Sequence, residues 1–285
     1  MTRSTYFCRF TKAVFIALMA FARLGETQAD ASVSDGVASP DIGIGGDRKD
    51  RWVLGAALRA SPTYTGATGT QLGLRPVLAG RVGRWMLSTS SARALANMDL
   101  AGGISTTVVQ DSGVRLSVGA RSTHGRKSGD DAMLQGLPSI RSSLGLRLGV
   151  AYTPVPNWQL LGNAQQDLLR GQGLQGGLGL GWSTPIANGW VLNAGGSLGW
   201  VDGRFMRTFY GVLPEYARSD RPAWSPGGGL ESRGFGVGLS HAVSPHWRLT
   251  GNMGVNTLMG AAAKSPLTQK RTTQNAQVTL AYVGW

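Results

Sequence analysis

The sequence predicts an all-β protein, a closed antiparallel transmembrane β-barrel of about 10–12 strands. Three observations support this fold class. Apolar and polar residues alternate with period two from residue 51 to the end of the chain. Short turns rich in Gly, Pro and Asn alternate with longer polar connections. The chain carries 43 Gly and 9 Trp with only 15% charged residues, and no segment after the first 29 residues has helical spacing of apolar residues.

The first 29 residues have the pattern of a signal peptide. Arg3, Arg9 and Lys12 precede a short apolar run over residues 13–22, and residues 27–29 form a small-x-small cleavage site. The apolar run is about half of the ~20 residues that a spanning helix needs. The sequence therefore predicts residues 1–29 as a signal peptide, with an uncleaved N-terminal anchor as the alternative.

Residues 30–50 are polar and rich in Asp, Ser and Gly, which predicts a flexible periplasmic segment ahead of a barrel over residues 51–285. The single cysteine, Cys8, lies inside the predicted signal. The mature chain would then contain no disulfide and no thiolate catalyst. We expect no cofactor, no metal and no catalytic residue.

The chain is basic, with a net charge of +13. Removal of residues 1–29 leaves 24 basic and 14 acidic residues, a net charge of +10. In a cytosolic protein this balance would suggest nucleic acid. In an exported protein it favours outer-membrane lipid, cell-wall polymer or anionic solutes as partners, and we expect no nucleic-acid partner.

Period-two alternation is clearest in residues 114–121, 144–152, 190–200, 247–255 and 275–282. Each segment places large apolar residues in one phase and small, polar or basic residues in the other. Successive side chains of a strand point to opposite faces, so every segment has one apolar face and one polar face. A sheet surrounded by hydrocarbon cannot have free edges, which favours a closed barrel.

Basic side chains in the polar phase are candidates for the wet interior of that barrel. The candidates are Arg59, Arg75, Arg81, Arg115, Arg121, Arg147 and Arg248.

Tryptophans at segment ends favour a membrane barrel over the alternative, a soluble β-sandwich with a tryptophan core. Aromatic residues form girdles at the two interfaces of membrane barrels. The tryptophans concerned are Trp52, Trp158, Trp182, Trp190, Trp200, Trp247 and Trp285.

Several short motifs suggest enzymes but lack the required context. Residues 171–176 match G-x-G-x-x-G, yet a strand pattern follows where dinucleotide binding needs a helix. Residues 195–199 match G-x-S-x-G, yet the alternation continues through Ser197, which predicts a lumen-facing strand residue. A lipid-modifying hydrolase using His124 or His241 with a serine stays open as an alternative.

An ordered series of segments resembles the MipA/OmpV family (MltA-interacting protein) of outer-membrane proteins. The series runs over residues 61–66, 124–127, 134–137, 200–203, 209–212, 217–219, 258–260 and 265–267. The resemblance covers about residues 50–285.

The resemblance implies a non-enzymatic barrel in the outer membrane of a Gram-negative bacterium. Such a barrel would act as a scaffold that links a lytic transglycosylase to a murein synthase during cell-wall growth. The basic phase of the strands and the small residues beside it leave a second hypothesis, a pore for anionic or small polar solutes. The basic loop at residues 125–127 is a further candidate for contact with glycolipid phosphates.

Overall fold

A computed structural model describes residues 52–92, 102–123 and 125–284 of the chain. In these residues twelve antiparallel strands form a closed barrel, which confirms the predicted fold class. The predicted signal peptide and the segment 30–50 lie outside the described residues.

Every strand pairs with its neighbours in the sequence, and the first and last strands close the ring. The strands are β1 (Trp52–Pro62), β2 (Thr70–Val82), β3 (Trp85–Ser88), β4 (Gly103–Asp111), β5 (Val114–Thr123), β6 (Ser143–Tyr152), β7 (Trp158–Asp167), β8 (Leu174–Pro185), β9 (Trp190–Val201), β10 (Gly229–Ala242), β11 (Trp247–Leu258) and β12 (Thr272–Gly284). At the closing seam Val53 pairs with Val283 and Ala60 pairs with Ala276. Closure gives the backbone of β1 and β12 hydrogen-bond partners that hydrocarbon cannot supply.

Strand β6 illustrates how the alternation produces the wall. Leu146 and Leu148 are 43% and 56% exposed on one face, whereas Arg147 between them is 5% exposed on the other. The same division follows the apolar phase of β5, β9, β11 and β12. Leucines exposed on the outside of a closed barrel are stable when lipid surrounds them, so the barrel spans a membrane.

The connections differ in length between the two ends of the barrel. Short turns at residues 83–84, 112–113, 153–157, 186–189 and 243–246 lie at the end where β1 begins and β12 ends. The opposite end carries the longer connections. Three of them, 124–142, 202–228 and 259–271, are much longer than any of the short turns. In outer-membrane barrels the short turns face the periplasm and the longer loops face outside. We use these names for the two ends.

Tryptophans gather at the periplasmic end on the lipid-facing side. Trp158 pairs directly with Trp182 across β7 and β8, and Trp52 and Trp247 begin their strands with more than two-fifths of their surface exposed. Trp200 lies instead near the extracellular end of β9. Indole rings of this kind anchor a barrel at the membrane interface. Trp285 lies outside the described residues.

In the described part of the chain, two short α-helices occur in the extracellular loops, where the sequence shows no helical spacing of apolar residues. Helix α1 spans Gly203–Tyr210 and helix α2 spans Gly260–Ala263. The side chain of Asp202 caps α1 by accepting a hydrogen bond of 2.7 Å from the amide of Phe205. An eight-residue helix is too short for its periodicity to stand out in a window of ordinary length. Neither loop helix is long and apolar enough to cross a bilayer, and no other described helix is.

Strand β3 is short because its ladder with β2 stops at a proline. The amide of Thr89 still donates a hydrogen bond to the carbonyl of Leu78 in β2. Pro76 lies two residues before Leu78 on the edge of β2 that faces β3, and a proline has no amide hydrogen to donate. Its carbonyl accepts instead from the hydroxyl of Ser91 at 2.6 Å. The chain turns there, and Ala92 is fully buried in a cluster with apolar residues of β1, β2 and β12. These cluster members are Val53, Ala57, Val77, Ala79, Ala281 and Val283.

Candidate functional site

The inner wall of β8, β9 and β10 is lined by glycine and by other small residues. In these strands the large apolar residues point to lipid, and glycines take many of the positions between them. These inward glycines are Gly177, Gly179, Gly181, Gly195, Gly199, Gly234, Gly236 and Gly238. Because glycine has no side chain, this wall leaves interior space that leucine or phenylalanine would fill.

The seven arginines predicted for the interior all lie in the strand phase opposite to the exposed apolar residues. They are Arg59 in β1, Arg75 and Arg81 in β2, Arg115 and Arg121 in β5, Arg147 in β6 and Arg248 in β11. Arg147 is buried, Arg81 is exposed near the periplasmic end, and Arg248 donates to the carbonyl of Ser244 at 2.8 Å. Binding of a solute by these arginines stays a prediction.

A row of small polar side chains crosses the inner wall from β9 to β12. Asn193, Ser240, Thr250 and Thr279 are each at most 2% exposed. Ser240 pairs with Thr250, and Thr250 pairs with Thr279, so the side chains are neighbours across adjacent strands. Asn193 Nδ2 donates to Ser240 Oγ at 3.4 Å, and Gln277 Nε2 donates to Thr279 Oγ1 at 3.0 Å. We call these four residues the polar row.

Thr250 and Thr279 fall in the polar phase of their strands, but nothing in the sequence distinguishes them from other polar-phase residues. Threonine and serine are ordinary strand residues, and nothing in a period-two pattern distinguishes a buried hydroxyl from a hydrated one. The depth of burial appears only when neighbouring strands and the contents of the barrel are known.

The extracellular end is covered by a folded cap made from four connections. Apolar side chains from residues 63–69, 124–142, 202–228 and 259–271 form one buried cluster. Its buried members are Tyr64, Ala67, Leu134, Leu137, Val212 and Leu267. Loops that share a hydrophobic cluster cannot move independently, so the cap behaves as a small core of its own.

Long-range hydrogen bonds join the same connections. Tyr64 donates its hydroxyl hydrogen to the carbonyl of Leu267 at 2.9 Å. Gln269 Nε2 donates to both the Tyr64 hydroxyl and Asp131 Oδ1, at 3.1 and 3.0 Å. The side chain of Gln269, in the connection 259–271, therefore holds the connections 63–69 and 124–142 together.

Helix α1 packs into the mouth of the barrel. Phe205, Met206 and Phe209 are buried on one side of the helix, in a cluster with Val201 of β9 and Leu258 of β11. The rings of Phe205 and Phe209 stack at 4.4 Å between centroids. The helix is amphipathic, and its apolar side closes over the extracellular end of β9, β10 and β11.

Two buried arginines tie the cap together by binding carbonyl groups. Arg126 donates to the carbonyl of Phe209 at 2.6 Å, and burial lowers the pKa of its guanidinium to about 10. Arg221 donates to the carbonyls of Met133 and Tyr216 at 2.6 and 3.0 Å, and burial lowers its pKa as well. In the basic loop at residues 125–127, Arg126 is only 8% exposed and is occupied within the cap, whereas Lys127 is exposed. Contact of this loop with glycolipid phosphates stays a prediction.

Helix α1 is also joined to the wall through a buried carboxyl group. Glu231 is the extra residue of a bulge where the register of β10 against β9 shifts between Leu230 and Ser232. It is 0% exposed, and its Oε1 accepts a hydrogen bond of 2.7 Å from the hydroxyl of Tyr210. Burial, followed by the nearby Glu231, raises the pKa of the Tyr210 phenol well above its ordinary value.

Among the described residues, His241 and the serine of the G-x-S-x-G motif do not form a catalytic pair. The ring of His241 stacks on Trp190 at 4.6 Å between centroids, on the outer face of the wall. Ser197 lies within β9, as predicted. His124 lies outside the described residues. No group of three or more metal-ligating side chains occurs in residues 52–92, 102–123 and 125–284.

Residues 54–284 match the family model described as MltA-interacting protein MipA. The match covers every strand of the barrel almost completely. The chain belongs to the MipA family. The resemblance read from the ordered motifs is therefore confirmed, and with the lipid-facing wall it identifies an outer-membrane protein.

Among solved structures, the MipA-family barrel is similar to other outer-membrane barrels. An outer membrane channel from Pseudomonas putida F1 has 12% identity and a TM-score of 0.45, with 86% of this chain and 98% of that chain covered. An anion-selective porin from Comamonas acidovorans has 9% identity and a TM-score of 0.39, with 82% and 98% covered. None of the curated proteins matches this MipA-family sequence.

Proposed function

We propose that this MipA-family barrel is a non-enzymatic scaffold that holds a lytic transglycosylase near a murein synthase at the inner surface of the outer membrane. Family membership carries the proposal, since the family is described by interaction with the transglycosylase MltA. The family description names only the transglycosylase. Binding of the murein synthase is proposed from the family resemblance alone.

The shape of the two ends supports a periplasmic docking role. The extracellular end is closed over by the cap, whereas the periplasmic end presents short turns and, where β1, β11 and β12 meet, a cluster of aromatic residues. Tyr282 stacks on Trp52 at 5.4 Å and on His246 at 5.1 Å, and Trp247 meets it edge-on at 5.5 Å. Short turns on a rigid rim change little on binding, which lowers the entropy that association costs.

The experiment is retention of the two cell-wall enzymes on the immobilised, detergent-solubilised barrel. We expect the lytic transglycosylase to be retained directly and the synthase to be retained with it. Replacing the periplasmic turn at residues 153–157 or 243–246 by Gly-Ser of equal length should weaken retention. The matched control is replacement of the exposed extracellular residues 217–220. Failure of the wild-type barrel to retain the transglycosylase would contradict the proposal.

A second candidate function is passage of anionic or small polar solutes. Two features of the interior favour this function. The inward glycines of β8, β9 and β10 leave space, and the inward arginines of the other strands make the interior basic, which attracts anions. The cap opposes it, since four interlocked connections cover the mouth. Planar-bilayer recordings separate the two: a steady, anion-selective conductance supports the pore, and a silent bilayer with correctly folded protein supports the scaffold.

A further inference from the structure

The connection between β7 and β8, residues 168–173, exposes two leucines at the extracellular end of the barrel. The amide of Leu168 donates to the carbonyl of Leu144 at 2.9 Å, so the ladder of β6 and β7 continues by one residue. Leu168 and Leu169 are 56% and 69% exposed, and Leu144 belongs to the lipid-facing phase of β6. Leucines exposed to this degree are costly in water and stable in hydrocarbon. The turn at residues 168–173 therefore lies at the outer boundary of the bilayer.

Three exposed arginines surround this turn, and we call them the rim arginines. They are Arg141, Arg170 and Arg204. Arg170 Nε donates to the carbonyl of Ser142 at 2.9 Å, and its two Nη groups make no hydrogen bond to a described residue. The carbonyl of Arg141 accepts from Gln172 Nε2 at 2.7 Å. The backbone that carries Arg141 therefore lies directly against the turn.

Arg204 reaches the same turn from helix α1. A Cβ atom added to Gly171 would lie 3.3 Å from Arg204 Nη1, so the guanidinium group lies over this glycine. Arg204 is in the first turn of α1. A positive charge at the N-terminal end of a helix opposes the helix dipole, so helix stability does not account for this residue.

The carboxylates nearest to the turn are engaged by backbone amides. Asp167 Oδ2 accepts from the amides of Arg170 and Gln172, both at 2.9 Å, and Asp202 Oδ1 accepts from the amide of Phe205. In the described part of the chain neither carboxylate forms an ion pair with a rim arginine. Residues 168–173 contain no acidic side chain. Like charges repel one another, so a cluster of three arginines is suited to an anion that lies between them.

The combination of exposed leucines and arginines indicates the chemistry of the ligand. Guanidinium groups bind phosphate through paired hydrogen bonds. The leucines offer an apolar surface immediately beside these charges, which suits acyl chains. Basic side chains at a membrane boundary attract anionic lipid headgroups. A lipid with phosphate groups in its headgroup satisfies both requirements, whereas a free anion leaves the leucines without a partner.

We infer that the rim arginines bind the phosphate groups of an outer-leaflet glycolipid, with its acyl chains against Leu144, Leu168 and Leu169. The site lies on the outer surface of β6–β8, beside the first turn of α1. It is separate from the basic loop at residues 125–127. It also lies at the opposite end of the barrel from the proposed transglycosylase contact and holds whether or not that enzyme binds.

Native mass spectrometry of the detergent-solubilised barrel tests this inference. The full chain is titrated with diphosphoryl lipid A, and the fraction of barrels that carry one glycolipid gives the affinity. Arg141→Gln with Arg204→Gln removes two rim charges and leaves Arg170 in place. We expect this variant to bind at least about tenfold more weakly. The matched control, Arg218→Gln with Lys264→Gln, removes two exposed charges from the cap and should leave binding unchanged.

Two further probes separate recognition of phosphate from attraction to lipid in general. Lipid A without its phosphates, with the same acyl chains, should bind the wild type at least about tenfold more weakly. Millimolar inorganic phosphate should leave diphosphoryl lipid A bound, because the acyl chains contribute to its affinity.

The other outcomes overturn the inference. Equal affinity of the wild type and the rim variant, or equal binding of dephosphorylated lipid A, means that the rim arginines do not recognise phosphate. Equal losses in the rim and cap variants mean that net charge alone attracts the glycolipid. Complete displacement by inorganic phosphate means that the site takes a free anion. If the double rim variant loses the compact band of the folded barrel in gel electrophoresis, Arg204→Gln alone replaces it, with an expected loss of at least about threefold.

Discussion

The hydroxyl of Tyr210, the last residue of α1, donates a hydrogen bond of 2.7 Å to Glu231 Oε1 at the bulge of β10. Both residues are buried, at 3% and 0% exposure. The bond joins the cap to the wall in a place that water does not reach. The bulge makes this bond possible, because it inserts Glu231 as an extra residue in β10 and turns its carboxyl group towards α1.

Removal of that hydroxyl should destabilise the barrel. Tyr210→Phe leaves a buried carboxyl group without its donor, which costs about 1–3 kcal/mol of unfolding free energy. The urea midpoint of the refolded protein in lipid vesicles measures the loss. Tyr152→Phe, at an exposed position of the lipid-facing wall, is the matched control and should change the free energy by less than about 0.5 kcal/mol. Equal effects of the two variants would contradict this role for Tyr210.

The cap should loosen when its buried arginine is removed. Arg126→Met deletes the donor to the carbonyl of Phe209 and leaves that carbonyl buried without the charged partner. A hydrogen bond to a charged group contributes about 1.5–3 kcal/mol, so local opening should become at least about tenfold more frequent. Limited trypsin digestion at Arg207 and Arg218, both exposed, measures the opening. Lys127→Met changes an exposed neighbour and should leave the digestion rate unaltered.

Strongly alkaline solution should destabilise the cap through Tyr64. Burial, followed by the charge of Asp131, raises the pKa of the Tyr64 phenol to about 12. An unfolded tyrosine titrates near 10. The buried neutral phenol therefore stabilises the cap fully below pH 10, and this contribution is lost as the pH rises from 10 through 12.

The pH dependence of Tyr64→Phe isolates this effect. Arg126, whose pKa is about 10 in the folded state, acts in the opposite direction over the same range. Unfolding free energies between pH 9 and 12 should fall more steeply in the wild type than in Tyr64→Phe. The expected difference is roughly 1–3 kcal/mol by pH 12. Parallel curves would mean that the Tyr64 phenol is hydrated.

A charge placed on the lipid-facing wall should be costly. Leu148 lies in the middle of β6 and is 56% exposed towards lipid. Leu148→Arg should lower the unfolding free energy by about 2–4 kcal/mol. Leu213 is the matched control position, because it is 57% exposed in an extracellular connection and faces water instead of lipid. Leu213→Arg should be nearly neutral in the same vesicle assay, and similar losses in both would argue against a lipid-facing β6.

The sequence alone determined the barrel wall. Alternation in residues 144–152 predicted which side chains of β6 face lipid, and Leu148 and Arg147 lie as predicted. Turn residues at 153–157, 185–189 and 244–246 predicted short turns, and hairpins join the strands at all three places. These features are local, because the side-chain period of a strand and the backbone preferences of Gly, Pro and Asn act within a few residues.

Only the tertiary structure decided the cap and the interior. Arg126 follows a glycine and precedes an exposed lysine, so it looks like a solvated loop residue until Phe209, 83 positions away, is placed beside it. Tyr64 and Leu267 are 203 residues apart. Thr250 of β11 is likewise buried only when Ser240 of β10 and Thr279 of β12 lie on either side of it. Contacts of this kind arise when closure of the barrel brings the loops over one mouth, and a pattern of period two carries no information about what lies across it.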